Sequence, residues 1–158
     1  MQPLGWSRGT FKPGSGSFET VSLEVIMSLK ESLKTLKQNH MMAHLHDALD
    51  EGKDIGHYGR LVFAIVARHF LSEDQLVKEL AKDKDFSEDE AKALVAQVIE
   101  RGYSPPRRET IMEYQQKQDF PILPDADNPD EGNVYRDLEF PQEVYDSISQ
   151  YHQQQHGS

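Results

Sequence analysis

The sequence predicts an all-α fold: a compact bundle of about five or six helices between a flexible N-terminal leader and a C-terminal tail. Three observations carry the prediction. Apolar residues recur at helical spacing through most of the chain. Two serines open capping boxes, Ser72-Glu73-Asp74-Gln75 and Ser87-Glu88-Asp89-Glu90, in which the serine and the residue three places on satisfy each other's backbone N–H groups. No segment alternates in the rhythm of a strand, and no internal repeat is present.

Residues 1–26 are rich in Gly, Ser and Thr, and Gly14-Ser15-Gly16-Ser17 reads as linker. Met27-Ser28 looks like a natural start, so 1–26 is read as a leader or tag, 27–154 as the helical domain and 155–158 as a disordered tail. The first helix is expected over 29–51, on Leu33, Leu36, Met41, Leu45 and Leu49, with Gly52 as a left-handed stop. The second, over 57–71, is an apolar run with a polar and flexible front: Gly56, His57, Tyr58, Gly59 and Arg60. The capping boxes begin the third and fourth helices, whose faces are Leu76, Val77 and Leu80, then Ala91, Leu94, Val95 and Val98. Gly102 ends the fourth. Tyr103-Ser104-Pro105-Pro106 forces an extended turn, because residues before proline avoid the helical region. Pro106 suits the first turn of a fifth helix running to about 117. A connection rich in Pro and Asp, 119–140, leads to a last helix from Pro141 to about 154.

The 158 residues suffice for one core, and the low apolar fraction, 37%, fits a small helical domain. The absence of cysteine excludes disulfides, thiolate zinc sites and cysteine-held iron–sulfur clusters. No apolar run is long enough to span a bilayer, which points to an intracellular protein, cytoplasmic or nucleoid-associated, with no membrane partner. A net charge of −10 opposes nucleic-acid binding over the whole surface. The charge is uneven, however. Residues 119–146 hold Asp119, Asp125, Asp127, Asp130, Glu131, Asp137, Glu139, Glu143 and Asp146 against Arg136 alone, which leaves the body near neutral with basic spots at Arg60/Arg68 and Arg101/Arg107/Arg108.

His57 and Arg60 stand one helical turn apart, so their side chains can converge. Gly56 and Gly59 let a ligand or another part of the chain come close, and free N–H groups at the helix start would favour an anion. The other reading is structural: Arg60 pairs with an acidic neighbour while His57 caps the helix. Arg107 and Arg108 follow the double proline. Their forks suit phosphate, but cations at a helix N-terminus oppose the dipole, so Glu109 or residues 125–131 are candidate partners. His40 and His44 have chelating spacing but no evident third ligand, and no metal is expected. No nucleophile–base–orienter set and no phosphate-binding glycine loop is present, so no catalytic residue is assigned and the chain is not expected to be an enzyme on its own.

Three segments, in order, resemble the C-terminal domain of the archaeal and eukaryotic primase large (regulatory) subunit. They are Leu45-His46-Asp47-Ala48-Leu49 followed by His57-Tyr58-Gly59-Arg60, then Leu71-Ser72-Glu73-Asp74-Gln75-Leu76, then Tyr103-Ser104-Pro105-Pro106. The match spans 41–138. The resemblance implies a helical domain that helps a catalytic subunit start primers by gripping the initiating triphosphate and the template. It makes His57 and Arg60 the phosphate contacts. That family also holds a four-cysteine iron–sulfur cluster. Here the four positions fall at Met41, at Arg108, around Ile122–Leu123 and around Gly132–Asn133, so the cluster cannot form. The chain is similar in this respect to the cluster-free third primase subunit of some archaea and to helical domains fused to plasmid primase–polymerases. Met41, Ile122, Leu123 and Val134 are expected to pack where the cluster would sit.

The expected function is therefore a non-catalytic accessory domain of a DNA primase or primase–polymerase. It would bind a nucleoside triphosphate or primer 5′ end through His57, Arg60, Arg107 and Arg108, with Lys53 and Arg68 on single-stranded template DNA. Its partner would be a catalytic primase subunit or a fused polymerase domain, and no cofactor is expected beyond the nucleotide as ligand. The alternative is an acidic protein-interaction adaptor that binds no nucleotide and meets a basic partner through 119–146.

Overall fold

The expected first helix is two. The computed structural model, which describes residues 23–125 and 127–148 (side chains from Ser28 on), places α1 at Leu23–Leu36 and α2 at His40–Asp50. Asn39 makes the break. It is fully buried and extended (φ −89°, ψ 126°), and its side-chain oxygen accepts from Met42 N at 3.0 Å as an N-cap. Its amide nitrogen donates to the Glu131 carbonyl at 3.0 Å and to Asp137 Oδ2 at 2.9 Å. Apolar spacing runs on across the break from Leu36 to Met41, which hides it from a reading of periodicity.

α1 begins at Leu23, six residues ahead of the expected helix start at Leu29 and within the expected leader. The remainder of the expected leader, the end of the expected last helix and the 155–158 tail lie outside the described residues. The chain divides into two units, Met1–Glu31 and Ser32–Ser158. The first is described only over its helical residues 23–31; the second contains all that follows.

α2 buries Met41, Met42, Leu45, Ala48 and Leu49, and Gly52 behind it takes the expected positive φ, 72°. α3 (Gly56–Ala67) is buried continuously from Val62 to Ala67, as a helix that is apolar all round must be, and it packs against α2 and three later helices. It ends four residues short of expectation. The chain tightens to i, i+3 bonds at His69 and Phe70 so that Ser72 can be extended (φ −68°, ψ 164°) and cap the next helix. Both capping boxes form as expected, on α4 (Glu73–Leu80) and α5 (Glu88–Arg101), which pack on each other, and Gly102 closes α5 at φ 62°.

α6 runs over Arg108–Gln116, two residues later than the start expected at Pro106. The Tyr135 hydroxyl donates to the Pro105 carbonyl, tying the proline turn to the next segment, and extended Arg107 becomes the N-cap. The connection expected over 119–140 folds into a 3-10 turn, Pro129–Gly132, and a one-turn helix, α7 (Val134–Asp137). The 3-10 turn packs on α2 and α6, and residues 142–148 are helical. Gly132 is needed for that approach: a Cβ there would stand 3.1 Å from Leu123 Cδ2 and 3.4 Å from Ile111 Cδ1. Met41, Ile122, Leu123 and Val134 are all buried. The described residues contain no strand, and no helix among them is long and apolar enough to cross a membrane.

Candidate functional site

The front of α3 is occupied by the chain itself. Gly56 N donates to Asp54 Oδ1 at 2.8 Å, and Tyr58 N and Gly59 N donate to Gln118 Oε1 at 2.8 and 3.4 Å. The N–H groups expected to attract an anion are therefore largely used, and Gln118, not His57, caps the helix. His57 is exposed and rests edge-on against Tyr58, which stacks on Tyr114 at 4.7 Å. Arg60 has other partners. Its Nη1 lies 3.1 Å from both Asp54 Oδ1 and Asp83 Oδ2, and its guanidinium covers the Phe86 ring at 4.5 Å. Asp83 is wholly buried and also accepts from Ile55 N and Asp85 N. The pairing anticipated by the structural reading of Arg60 is present, and two carboxylates already neutralise this cation.

A different set of cations lines three hollows that share bordering residues. A cleft of about 500 Å³ is bounded by Arg68, His69, Tyr103, Ser104, Glu143 and Ser147 among others. A hollow of about 260 Å³ shares Ser104 and Ser147 with it and adds Arg107 and Tyr135. A third, about 350 Å³, shares Arg107 and Tyr135 and adds Arg108 and Asn133. The proline turn thus connects Arg68 to Arg107 and Arg108, residues remote in sequence. Arg68 donates to the Tyr103 carbonyl at 3.3 Å, and its Nε is buried without a hydrogen-bond partner. No carboxylate among the described residues pairs with it, although Glu143 shares the cleft. Arg108 is held by Asp130 at 2.7 Å and Glu109 at 3.4 Å, the partners its place at a helix start requires. Tyr135 is pushed up to about 12 by burial, so it stays a neutral donor.

His69, beside Arg68, packs edge-on against Phe140, and its Nε2 is buried without a partner. Burial, and then the Arg68 charge, push the ring down to about 4 from the usual 6.5. Folded His69 therefore stays neutral while the unfolded chain takes up a proton near pH 6.5. The unfolded state binds more protons between those values, so stability falls as pH drops from about 6.5 to 4. Denaturant midpoints measured across that interval should decline in the wild type and flatten in His69→Gln.

Lys53 is exposed and pairs with Glu51 at 2.8 Å, outside the lining of these hollows. His40 bonds Glu131 at 2.9 Å, while His44 bonds the Pro121 carbonyl at 2.8 Å and stacks on Phe120, so the two rings are engaged by different partners. A polar bridge between α2 and α4 was missed. His46 Nε2 lies 3.0 Å from Glu79 Oε1, and its Nδ1 lies 3.6 Å from Asp50 Oδ2. Lys82 Nζ meets Asp50 at 2.8 Å and Glu79 at 3.1 Å. Burial pushes the Glu79 carboxyl up, but the His46 ring and the Lys82 ammonium outweigh it and hold the carboxyl below its ordinary value. The i, i+4 spacing of His46 and Asp50 was the available signal; their companions lie on another helix.

Comparison with family models, with curated proteins and with solved structures finds no match to this chain.

Proposed function

We propose that this chain is a non-catalytic accessory domain of a primase or primase–polymerase that holds the phosphates of an initiating nucleotide and of single-stranded template. The observation that carries the proposal is the set of adjoining hollows that Arg68, Arg107 and Arg108 border at the proline turn. Guanidinium groups beside small hydroxyls and tyrosines suit a single strand, whose phosphates take the charge while bases rest on aromatic faces. The ordered resemblance to the primase large subunit supports the same reading. It moves the weight of binding from Arg60, whose charge is matched by Asp54 and Asp83, to Arg68, with which no carboxylate among the described residues pairs. His57, exposed at the front of α3, remains a secondary contact. Catalysis belongs to a partner with its own metal-binding carboxylates.

The adaptor reading loses ground on one observation. Part of the acidic segment is spent inside the molecule: Asp130 pairs with Arg108 and Arg136, Glu131 with His40, and Asp137 with Arg136 and Asn39.

Fluorescence anisotropy with a labelled single-stranded oligonucleotide, repeated over a salt series, tests the proposal. Arg68→Ala and Arg107→Ala should each weaken binding about tenfold, the worth of one charge-assisted hydrogen bond. Each should also lower the log–log salt slope by about 0.7. Binding that is absent at low salt, or equal in wild type and both variants at unchanged melting temperature, would defeat the proposal in favour of the adaptor.

A further inference from the structure

We infer that the polar bridge between α2 and α4 is a binding site for a divalent transition-metal ion such as zinc, with His46, Asp50 and Glu79 as ligands and Lys82 as the competing cation. One ring nitrogen of His46 and one oxygen each of Asp50 and Glu79 lie within 4.8 Å of one another. Two ligands on the same zinc ion, each about 2.0–2.2 Å from the metal, stand roughly 3.0–3.4 Å apart. The His46 Nε2 to Glu79 Oε1 distance, 3.0 Å, already has that value; Asp50, whose Oδ2 lies 3.6 Å from the other ring nitrogen, must swing to the Nε2 side to complete the set. Asp50 is about half exposed and can make that move once its Lys82 partner is displaced.

His46 points to the same conclusion independently. It is 4% exposed, and neither ring nitrogen meets hydrogen-bond geometry, although Nε2 lies 3.0 Å from Glu79 Oε1. Both nitrogens face carboxylate oxygens, and a neutral imidazole has only one N–H to offer. With a neutral ring, one nitrogen turns a lone pair toward a negative oxygen, an arrangement that a cation between them relieves. Charge accounting agrees. Two carboxylates with a neutral imidazole are balanced by one divalent ion, whereas Lys82 supplies a single positive charge. Lys82 is 41% exposed on a flexible stem, so it can swing into solvent when a metal enters. One imidazole with two carboxylates suits zinc and its first-row neighbours, and three protein ligands leave room for water. The ion would clamp α2 to α4.

Calorimetric titration of zinc into the chelator-stripped full chain tests this, with magnesium as a hard-cation control. The wild type should take up one zinc and no magnesium, and zinc should raise its melting temperature. Asp50→Ala should weaken zinc at least tenfold, and Lys82→Met should tighten it at least fivefold by removing the competitor. Both positions are partly exposed, and circular dichroism checks that the fold is kept. Absent zinc uptake overturns the inference. So does an affinity that neither variant changes, which would place the ion on surface groups such as His40 and Glu131.

Discussion

Arg60→Ala should lower the melting temperature by about 10 °C or more, whatever it does to a ligand. A phosphate contact at Arg60 would instead give a large loss of binding with little loss of fold. The difference lies in Asp83, whose side chain is fully buried. Removing the guanidinium leaves that carboxylate with only the N–H groups of Ile55 and Asp85, and strips the cover from Phe86. Breaking one side of a buried ion pair costs about 3–5 kcal/mol; the two surviving N–H bonds place this case near the lower end. Replacing both partners, Arg60→Met with Asp83→Leu, should recover most of the loss, because no charge is then left buried. Thermal melts of the single and double variants decide the matter. Wild-type melting in Arg60→Ala, together with lost triphosphate binding, would restore Arg60 as the phosphate grip.

Gly56→Ala should cost about 3 kcal/mol, an effect that the exposed end of a helix would not ordinarily give. Gly56 has φ 80°, and a Cβ there would fall 2.5–2.7 Å from the side-chain amide of Gln118. A glutamine tip normally moves aside. This one is tied on both atoms: its oxygen accepts from Tyr58 N and Gly59 N, and its nitrogen donates to the Ile55 and Phe120 carbonyls, each at 2.9 Å. The left-handed backbone costs a side chain roughly 1–2 kcal/mol, and the displaced amide accounts for the remainder. Gln118→Ala should therefore destabilise by itself and should halve the cost of Gly56→Ala. That coupling, about 1–2 kcal/mol in a double-mutant cycle, distinguishes a cap supplied from a distance from simple crowding.

Those two results bear on how the motif is understood. The Gly-His-Tyr-Gly-Arg front was read as room and charge for a ligand. The glycines do give room, and Gln118 fills it; the arginine does give charge, and Asp83 and Asp54 match it. Residue types told which chemistry was available and not whether the rest of the chain had already used it. Arg68 was named for the template on the strength of charge alone. Only folding sets it beside Ser104 and Ser147, which also border the hollow of Arg107, and leaves it without a carboxylate among the described residues.

What the sequence determined by itself was the helical class, the two capping boxes and the left-handed stops at Gly52 and Gly102. Each depends on groups within about one helical turn, so the local order of residues contains the whole interaction. The tertiary structure alone decided the break at Asn39, the cap on α3 and the partner of Arg60. Those bonds join residues 98, 60 and 23 positions apart, and neither periodicity nor motif spacing registers a partner that distant. A buried polar side chain must find its hydrogen bonds wherever the fold delivers them, and in this chain they come from the segments that follow.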